Sequence, residues 1–165
     1  MSDILCIYYS RTGNTKKTMK GIAASLNAEL VELSDGAARG GPMGWLRSGM
    51  DAMRRTTLPV TFETQRPLSE YRLVIIGSPI WAGRCSSVAR GFLKEHGQEL
   101  QNAAYVLLRG SEDKNEDVYE QMDLYVPRPR IAAVSLRRGS VGYVFWKEQF
   151  LHSVREFMNR QEEQK

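Results

Sequence analysis

The chain has 165 residues, of which 42% are hydrophobic and 25% are charged, and its formal net charge is +4. A chain of this length buries roughly two-thirds of its unfolded surface, so it folds without a disulfide or a metal ion. This composition excludes a disordered, collagen-like or coiled-coil chain. Residues 1–165 are therefore predicted to form a single domain.

Targeting patterns and the distribution of charge indicate where the protein is located and what it binds. No apolar run approaches the roughly 18 residues that a membrane-spanning helix needs, and no signal-peptide pattern opens the chain. The basic residues are scattered and form no stripe with aromatic residues, which disfavours nucleic-acid binding. The sequence thus predicts a cytoplasmic protein that binds neither membranes nor nucleic acid.

Cysteines and histidines show no metal-binding spacing. Cys6 belongs to an apolar run that is typical of a buried strand, whereas Cys85 is expected in a polar loop. His96 and His152 are far apart in the chain. No metal site is predicted from these four residues.

Apolar runs and amphipathic segments alternate along the chain. An excursion at 35–66 follows the second strand and contains a short helix, and the polar tail 161–165 is expected to fray. Strands that are apolar throughout need cover on both faces, which indicates a parallel sheet between two layers of helices. The predicted strands are 4–9, 29–33, 73–77, 103–108 and 131–136, and the predicted helices are 15–26, 43–55, 87–100, 115–124 and 144–159.

The turn after the first strand has the chemistry of an anion site. Hydroxyl and amide groups can donate hydrogen bonds there, and Gly13 allows a tight turn that gathers backbone N–H groups at a helix N-terminus. The alternative is a simple helix cap, which uses the same residue types. Arg11 either adds positive charge or faces solvent. The candidate residues are Ser10, Arg11, Thr12, Gly13, Asn14 and Thr15.

The motif YYSRTGNT resembles the (T/S)-x-T-G-x-T phosphate loop of flavodoxins, and the order of elements along nearly the whole chain is similar to theirs. The stretch 41–55 also resembles an insertion in a branch of small bacterial flavodoxin-family proteins. The resemblance implies a three-layer α/β flavodoxin-like fold. Its sheet would have five parallel strands in the order 2-1-3-4-5, with helices on both faces and FMN as cofactor.

The turn SPIWAG after the third strand is similar to the flavodoxin loop that wraps the isoalloxazine ring. Trp81 offers a flat apolar face for stacking, although it can equally pack on the end of the sheet. The residues that the resemblance places at the ring are Ser78, Pro79, Ile80, Trp81, Ala82 and Gly83.

The turn RGSED after the fourth strand departs from the family pattern, which is richer in glycine and often has an aromatic residue nearby. The resemblance places Arg109, Gly110 and Ser111 at the pyrimidine edge of the flavin. Either Tyr119 reaches the ring or that side is open. Acidic residues and Arg109 act in opposite directions on the flavin potential, so the sign of the shift stays open.

Three functions fit this resemblance. The first is an FMN-binding electron-transfer protein that works with a redox partner protein or an NAD(P)H-linked reductase. The alternatives are an FMN-dependent NAD(P)H:quinone or other acceptor oxidoreductase, and a flavin-free binding or regulatory module. No catalytic residue is predicted, since the cofactor supplies the chemistry.

Electron-carrying flavodoxins are typically acidic, whereas this chain is basic. Arg11, Arg84 and Arg109 are expected to border the site and to attract an acidic or anionic partner. Asp35 and Asp51 are charged positions for which the sequence suggests no partner. The helix at 43–55, with its apolar side chains, is a candidate dimer surface.

Overall fold

The computed structural model describes residues 2–165; residue 1 of the predicted domain lies outside the described residues. Strands and helices alternate as predicted, apart from one additional short strand. The strands are β1 (Ile4–Tyr8), β2 (Glu29–Glu32), β3 (Leu73–Trp81), β4 (Arg84–Cys85), β5 (Ala103–Leu108) and β6 (Ala132–Leu136). The helices are α1 (Asn14–Leu26), α2 (Gly41–Arg54), α3 (Ser87–His96), α4 (Asp117–Asp123) and α5 (Tyr143–Glu163).

The main sheet has the strand order β2-β1-β3-β5-β6, and every pair in it is parallel. This order confirms the predicted 2-1-3-4-5 topology, because β5 and β6 are the predicted fourth and fifth strands. The strands are apolar at most positions, so both faces must be covered by helices. Parallel pairing also brings the carboxyl ends of all five strands to one edge.

Two apolar cores lie on opposite faces of the sheet. One core contains Met19 of α1 and Phe150 of α5, and a hydrogen bond of 2.7 Å between Thr18 Oγ1 and the Tyr143 hydroxyl joins these two helices. The other core contains Val88 of α3 and Val118 of α4. Each fully buried aliphatic or aromatic side chain contributes about 1.5–3 kcal/mol relative to exposure. The three-layer arrangement is therefore stabilised from both sides.

The third strand is longer than predicted. Ser78, Pro79, Ile80 and Trp81 continue β3 instead of forming a loop, and β4 folds back against its end. Ala82 and Gly83 join them with φ values of 50° and 73°. Positive φ at both central residues is the signature of a type I′ turn, which matches the twist of a two-stranded hairpin.

The hairpin also places Cys85 in a different environment from the predicted one. It is buried in the core and pairs with Ile80, so the prediction of a polar loop position is wrong. Its burial follows from the alternation of side chains along β4, which points Cys85 inward. The pKa of the thiol is raised to about 11, chiefly because burial disfavours the thiolate.

Helix ends differ modestly from the prediction. Helix α3 stops at His96 and continues as a single 3-10 turn over Gly97–Glu99. Helix α5 extends to Glu163, beyond the predicted end at 159, so part of the polar tail is helical. Among residues 2–165, no helix combines the length and the apolar character that crossing a bilayer requires.

Candidate functional site

Two adjoining clefts lie at the carboxyl edge of the sheet, where ligands bind in open α/β folds. The polar cleft has a volume of about 410 Å³, and the apolar cleft has a volume of about 660 Å³. Both fall in the range of small-molecule sites. They share five lining residues and therefore form one continuous groove: Trp45, Ile80, Trp81, Arg109 and Gly110.

The predicted site residues converge on this groove. Ser78 and Gly13 are the two that do not line it. Ser78 is fully buried, and its Oγ accepts a hydrogen bond of 2.9 Å from the Ser86 backbone N–H. Those lining the polar cleft are Ser10, Arg11, Thr12, Asn14, Thr15, Pro79, Ile80, Trp81, Arg109 and Gly110. Ile80, Trp81, Arg109 and Gly110 also line the apolar cleft, together with Ala82, Gly83 and Ser111.

The turn before α1 leaves the helix N-terminus free of side-chain caps. Gly13 is the N-cap residue with φ of 102°, and no described side chain bonds to the first helical N–H groups. Ser10 Oγ instead accepts a hydrogen bond of 3.0 Å from the Gly13 N–H, which closes the turn on itself. Unpaired N–H groups and the helix dipole then face the cleft. The simple capping interpretation does not describe this turn.

Four guanidinium groups border the polar cleft, from Arg11, Arg109, Arg137 and Arg138. No acidic side chain within residues 2–165 lines it. Arg137 Nη1 lies 4.0 Å from the carboxylate of Glu112, which is almost fully exposed and gives a weak pair. The polar cleft is therefore a strongly positive site.

Arg137 and Arg138 were missed in the sequence, although they directly follow the last strand at the same sheet edge. Their position directly after a predicted parallel strand could have identified them as residues of the ligand-binding edge. Arg84 was expected to border the site but lies in β4 and lines neither cleft.

The indole of Trp81 is a wall of the groove and offers little free surface. It is 8% exposed. Tyr9 meets it edge-on at 5.5 Å between ring centroids, and Arg39 Cζ lies 5.0 Å from its ring centroid. The packing alternative thus describes Trp81 well. The freely exposed indole is that of Trp45 on α2, which is 64% exposed and lines both clefts.

Behind Trp81 lies a buried charge network centred on Arg39. Its Nη2 donates to Asp35 Oδ2 at 2.7 Å, and its Nη1 lies 3.0 Å from Asp51 Oδ2. The same guanidinium donates to Ser48 Oγ at 3.3 Å and to Ser87 Oγ at 3.1 Å. Burial lowers the pKa of Arg39, but the hydrogen bonds to its two carboxylate partners outweigh burial and raise it. Both aspartates thus have a partner, which the sequence did not suggest.

Helix α2 presents its small residues to the protein and its large apolar residues outward. Its buried positions are Gly44, Ser48 and Ala52. A Cβ at Gly44 would lie 2.1 Å from the Arg39 carbonyl carbon, so only glycine allows this close approach. The large outward-facing side chains that line the apolar cleft are Trp45, Leu46, Met50 and Met53.

A second buried arginine ties α2 to the fold. Arg90 Nη2 donates to the Asp51 backbone carbonyl at 3.1 Å, near the C-terminal end of α2. A cation at that position complements the helix dipole. Polar contacts at Arg39 and Arg90 therefore hold α2, the outer wall of the apolar cleft, more than apolar packing does.

The loop after β5 leaves the far side of the groove open. Tyr119 is buried, lies beneath Arg130 at 5.2 Å from the guanidinium carbon, and lines neither cleft. Of the two alternatives for this loop, the open one describes the structure. Asp113 and Asn115 also line the apolar cleft, and the Asn115 N–H donates to Asp113 Oδ1 at 2.9 Å.

Comparison with known proteins shows which solved structures share this fold. No family model matches the sequence, and no curated protein matches it significantly. Among solved structures, a flavoprotein from Lactobacillus acidophilus, in complex with FMN, is 20% identical over 88% of this chain and 99% of its own, with a TM-score of 0.66. A protein from Bacteroides uniformis that is named as a putative flavoprotein is 17% identical over 93% of this chain and 98% of its own, with a TM-score of 0.71. A flavodoxin from the domain Archaea is 13% identical over 93% and 97%, with a TM-score of 0.53.

These similarities define the class of fold. The chain has the flavodoxin-like α/β fold, with its candidate site at the sheet edge where that fold binds ligands. At this level of identity, the ligand and the function must be argued from the groove itself.

Proposed function

We propose that this chain binds FMN and acts in electron transfer. The observation that carries the proposal is the continuity of the two clefts. A positive cleft at an uncapped helix N-terminus runs directly into a larger cleft lined by apolar side chains. A phosphate ester with a flat, largely apolar ring system needs both halves in this order.

The polar cleft suits the phosphate end of FMN. The N–H groups at the start of α1 are uncapped, and the side chains of Thr12 and Asn14 line the cleft beside them. Helix N-termini and gathered backbone N–H groups bind phosphate without a lysine. The surrounding guanidinium groups add the positive charge that favours a dianion.

The apolar cleft suits the ring end. We assign the stacking role to Trp45 rather than Trp81, because its indole is exposed and stands where the two clefts meet. Met50 and Ile80 supply further apolar surface. Gly110 and Ser111 offer backbone groups for the polar edge of the ring. A planar ligand there is held by stacking and shape, with few polar contacts for orientation.

Bound FMN supplies the transfer of one or two electrons, and the protein supplies binding and electrostatics. Arg109 lines both clefts and lies beside the proposed ring site. Its positive charge favours the reduced over the oxidised state of the cofactor. Asp113 opposes this at the outer edge of the apolar cleft, but it is exposed and hence well screened. We therefore propose a net rise in reduction potential relative to free FMN.

The donor of electrons is proposed to be a redox partner protein or an NAD(P)H-linked reductase. An FMN-dependent NAD(P)H oxidoreductase is the second candidate, and one observation favours it. The four arginines of the polar cleft exceed the charge of one phosphate dianion, so a second anionic ligand is accommodated electrostatically.

Reconstitution with FMN tests the proposal. One equivalent of FMN is expected to bind with quenching of its fluorescence, and anaerobic dithionite titration is expected to consume two electrons per flavin. Steady NADPH oxidation with a quinone and no added reductase would favour the oxidoreductase. Protein that leaves micromolar FMN unquenched would contradict the proposal and favour a flavin-free binding module.

A further inference from the structure

Exposed apolar side chains cluster where β6 leads into α5. We call this cluster the α5 patch; it lines neither cleft, so FMN in the groove does not cover it. A contiguous exposed apolar surface on a soluble domain marks an interaction site. The α5 patch consists of Val141, Val144, Phe145 and Trp146, whose relative exposures are 105%, 64%, 56% and 45%.

The two aromatic side chains of the α5 patch contact each other and their surroundings. Phe145 and Trp146 meet edge to face with 5.0 Å between ring centroids. Lys114 Nζ lies 4.9 Å from the Trp146 ring centroid and ties the loop after β5 to α5. A Cβ at Gly142 would lie 3.0 Å from Trp146 Cδ1, so glycine lets the indole lie close to the backbone. A preorganised aromatic surface loses little side-chain entropy when a partner covers it.

Basic residues lie next to the α5 patch in the chain, and one of them contacts it directly. The segment 137–148 that carries it has three cations, Arg137, Arg138 and Lys147, and a single acid, Glu148. Lys114 adds a fourth cation directly over the aromatic ring. The neighbouring loop carries the opposing charges of Glu112, Asp113, Glu116 and Asp117. Glu112 forms only a weak, exposed pair with Arg137 at 4.0 Å.

The α5 patch is continuous with the candidate cofactor site. A small cavity of about 200 Å³ contains Trp146 together with Arg109 and Arg137 in its lining. Both of these arginines also line the polar cleft. A protein seated on the α5 patch therefore lies against the same wall as the groove.

We propose that the α5 patch docks an acidic redox protein that exchanges electrons with the bound cofactor, an inference that rests on the proposed function. The apolar centre supplies contact area, and the cations select a partner of opposite charge and speed its approach. The partner loses one electron for each electron that FMN accepts, and a proton that the reduced flavin takes up at a ring nitrogen comes from solvent. A second copy of this chain fits less well, because its own net charge is +4.

Calorimetric binding to two probes of opposite charge tests the docking surface, using an acidic [2Fe–2S] ferredoxin and basic cytochrome c with the full chain. The ferredoxin is expected to bind at least about tenfold more tightly than cytochrome c at low salt, and to lose most of that preference at high salt. Lys114→Glu and Lys147→Glu are each expected to weaken ferredoxin binding several-fold. Lys94→Glu on α3 makes the same charge change elsewhere and is expected to leave binding unchanged.

A second pair of variants tests the apolar contribution. Val144→Ser is expected to weaken ferredoxin binding, whereas Leu124→Ser, at a more exposed leucine outside the α5 patch, is expected to have no effect. Urea unfolding and FMN titration of each variant separate lost docking from lost folding.

Equal affinity for both probes, or an equal loss of ferredoxin affinity in Lys94→Glu, would overturn the docking proposal. A dimer in light scattering that Phe145→Ser dissociates would overturn it in favour of self-association. Stronger binding to phosphatidylserine vesicles than to ferredoxin would overturn it in favour of a membrane surface. Binding is measured with and without FMN. Ferredoxin binding by a chain that ignores FMN would contradict the proposed function alone. FMN binding without a preference for ferredoxin would contradict the docking surface alone.

Discussion

The two halves of the groove are built by different means. The polar cleft depends on a contiguous turn at 10–15, whose shape follows from Gly13 at φ of 102° and from the Ser10 hydroxyl that closes it. The apolar cleft depends on α2, a helix that exposes its large side chains and is held by the buried guanidiniums of Arg39 and Arg90. One half is set by local backbone geometry, and the other by the polar contacts of two buried arginines.

This difference predicts different failures. Damage to the turn should impair phosphate recognition and leave the ring half intact. Damage to the charge network should move α2 and impair the ring half, because its outer wall has few buried apolar contacts of its own. The polar contacts around Arg39 are thus as important to the site as the residues that line it.

The largest effect is expected from Arg39→Met. It leaves Asp35 buried without its cation, and breaking a buried ion pair from one side costs about 3–5 kcal/mol. Urea unfolding measures this loss, and riboflavin affinity should fall because α2 is displaced. Arg47→Met removes an exposed partner of Asp51 at 3.7 Å and should change stability by less than about 1 kcal/mol. Equal effects of the two substitutions would contradict the role of the buried network.

The next effect is expected from Gly13→Ala. A side chain in this left-handed conformation costs roughly 1–2 kcal/mol, although the space around the new Cβ is open. FMN affinity should fall while riboflavin affinity stays the same, as fluorescence titration with both ligands will show. Gly40→Ala is the matched control, since Gly40 has ordinary extended φ of −78° and open surroundings. Parallel loss of both ligands in Gly13→Ala would show that the turn does not act on the phosphate alone.

Trp45→Ala separates binding from stability. Its indole is largely exposed, so the free energy of unfolding should change by no more than about 0.5 kcal/mol. Lost stacking should weaken both FMN and riboflavin by about three- to tenfold. Met43→Ala, at an even more exposed position outside the clefts, should leave both affinities unchanged. Unaltered affinity in Trp45→Ala would return the stacking role to Trp81.

The smallest change is expected in thiol labelling. Burial raises the pKa of Cys85 to about 11, so thiolate is scarce at pH 8 and becomes appreciable only as the pH approaches that value. Native protein should therefore react with iodoacetamide far more slowly than protein in urea. Cys85 pairs with Ile80, which lies in the wall of the apolar cleft. Faster labelling in Arg39→Met would therefore show that this wall has opened. Rapid labelling of the folded wild type would contradict a closed hairpin.

Much of the fold was predictable from local pattern, since apolar strands alternate with amphipathic helices and parallel pairing then fixes the sheet edge. The turn at 10–15 was identifiable because its residues are contiguous. The role of Arg39 was not, because Asp35 is near it in the chain but Asp51 and Ser87 reach it only through packing of α2 and α3. The extension of β3 through Trp81 was hidden by Pro79, which normally argues against a strand interior.

The most direct test of the proposed site compares FMN with riboflavin by calorimetry on the same wild-type protein. The two ligands share the ring system and differ in the phosphate, so their affinity ratio isolates the polar cleft. Charge-assisted contacts to a dianion predict that FMN binds about a hundredfold more tightly, at one equivalent per chain. Equal affinities, or no binding of either ligand, would contradict the assignment of phosphate to the polar cleft and ring to the apolar cleft.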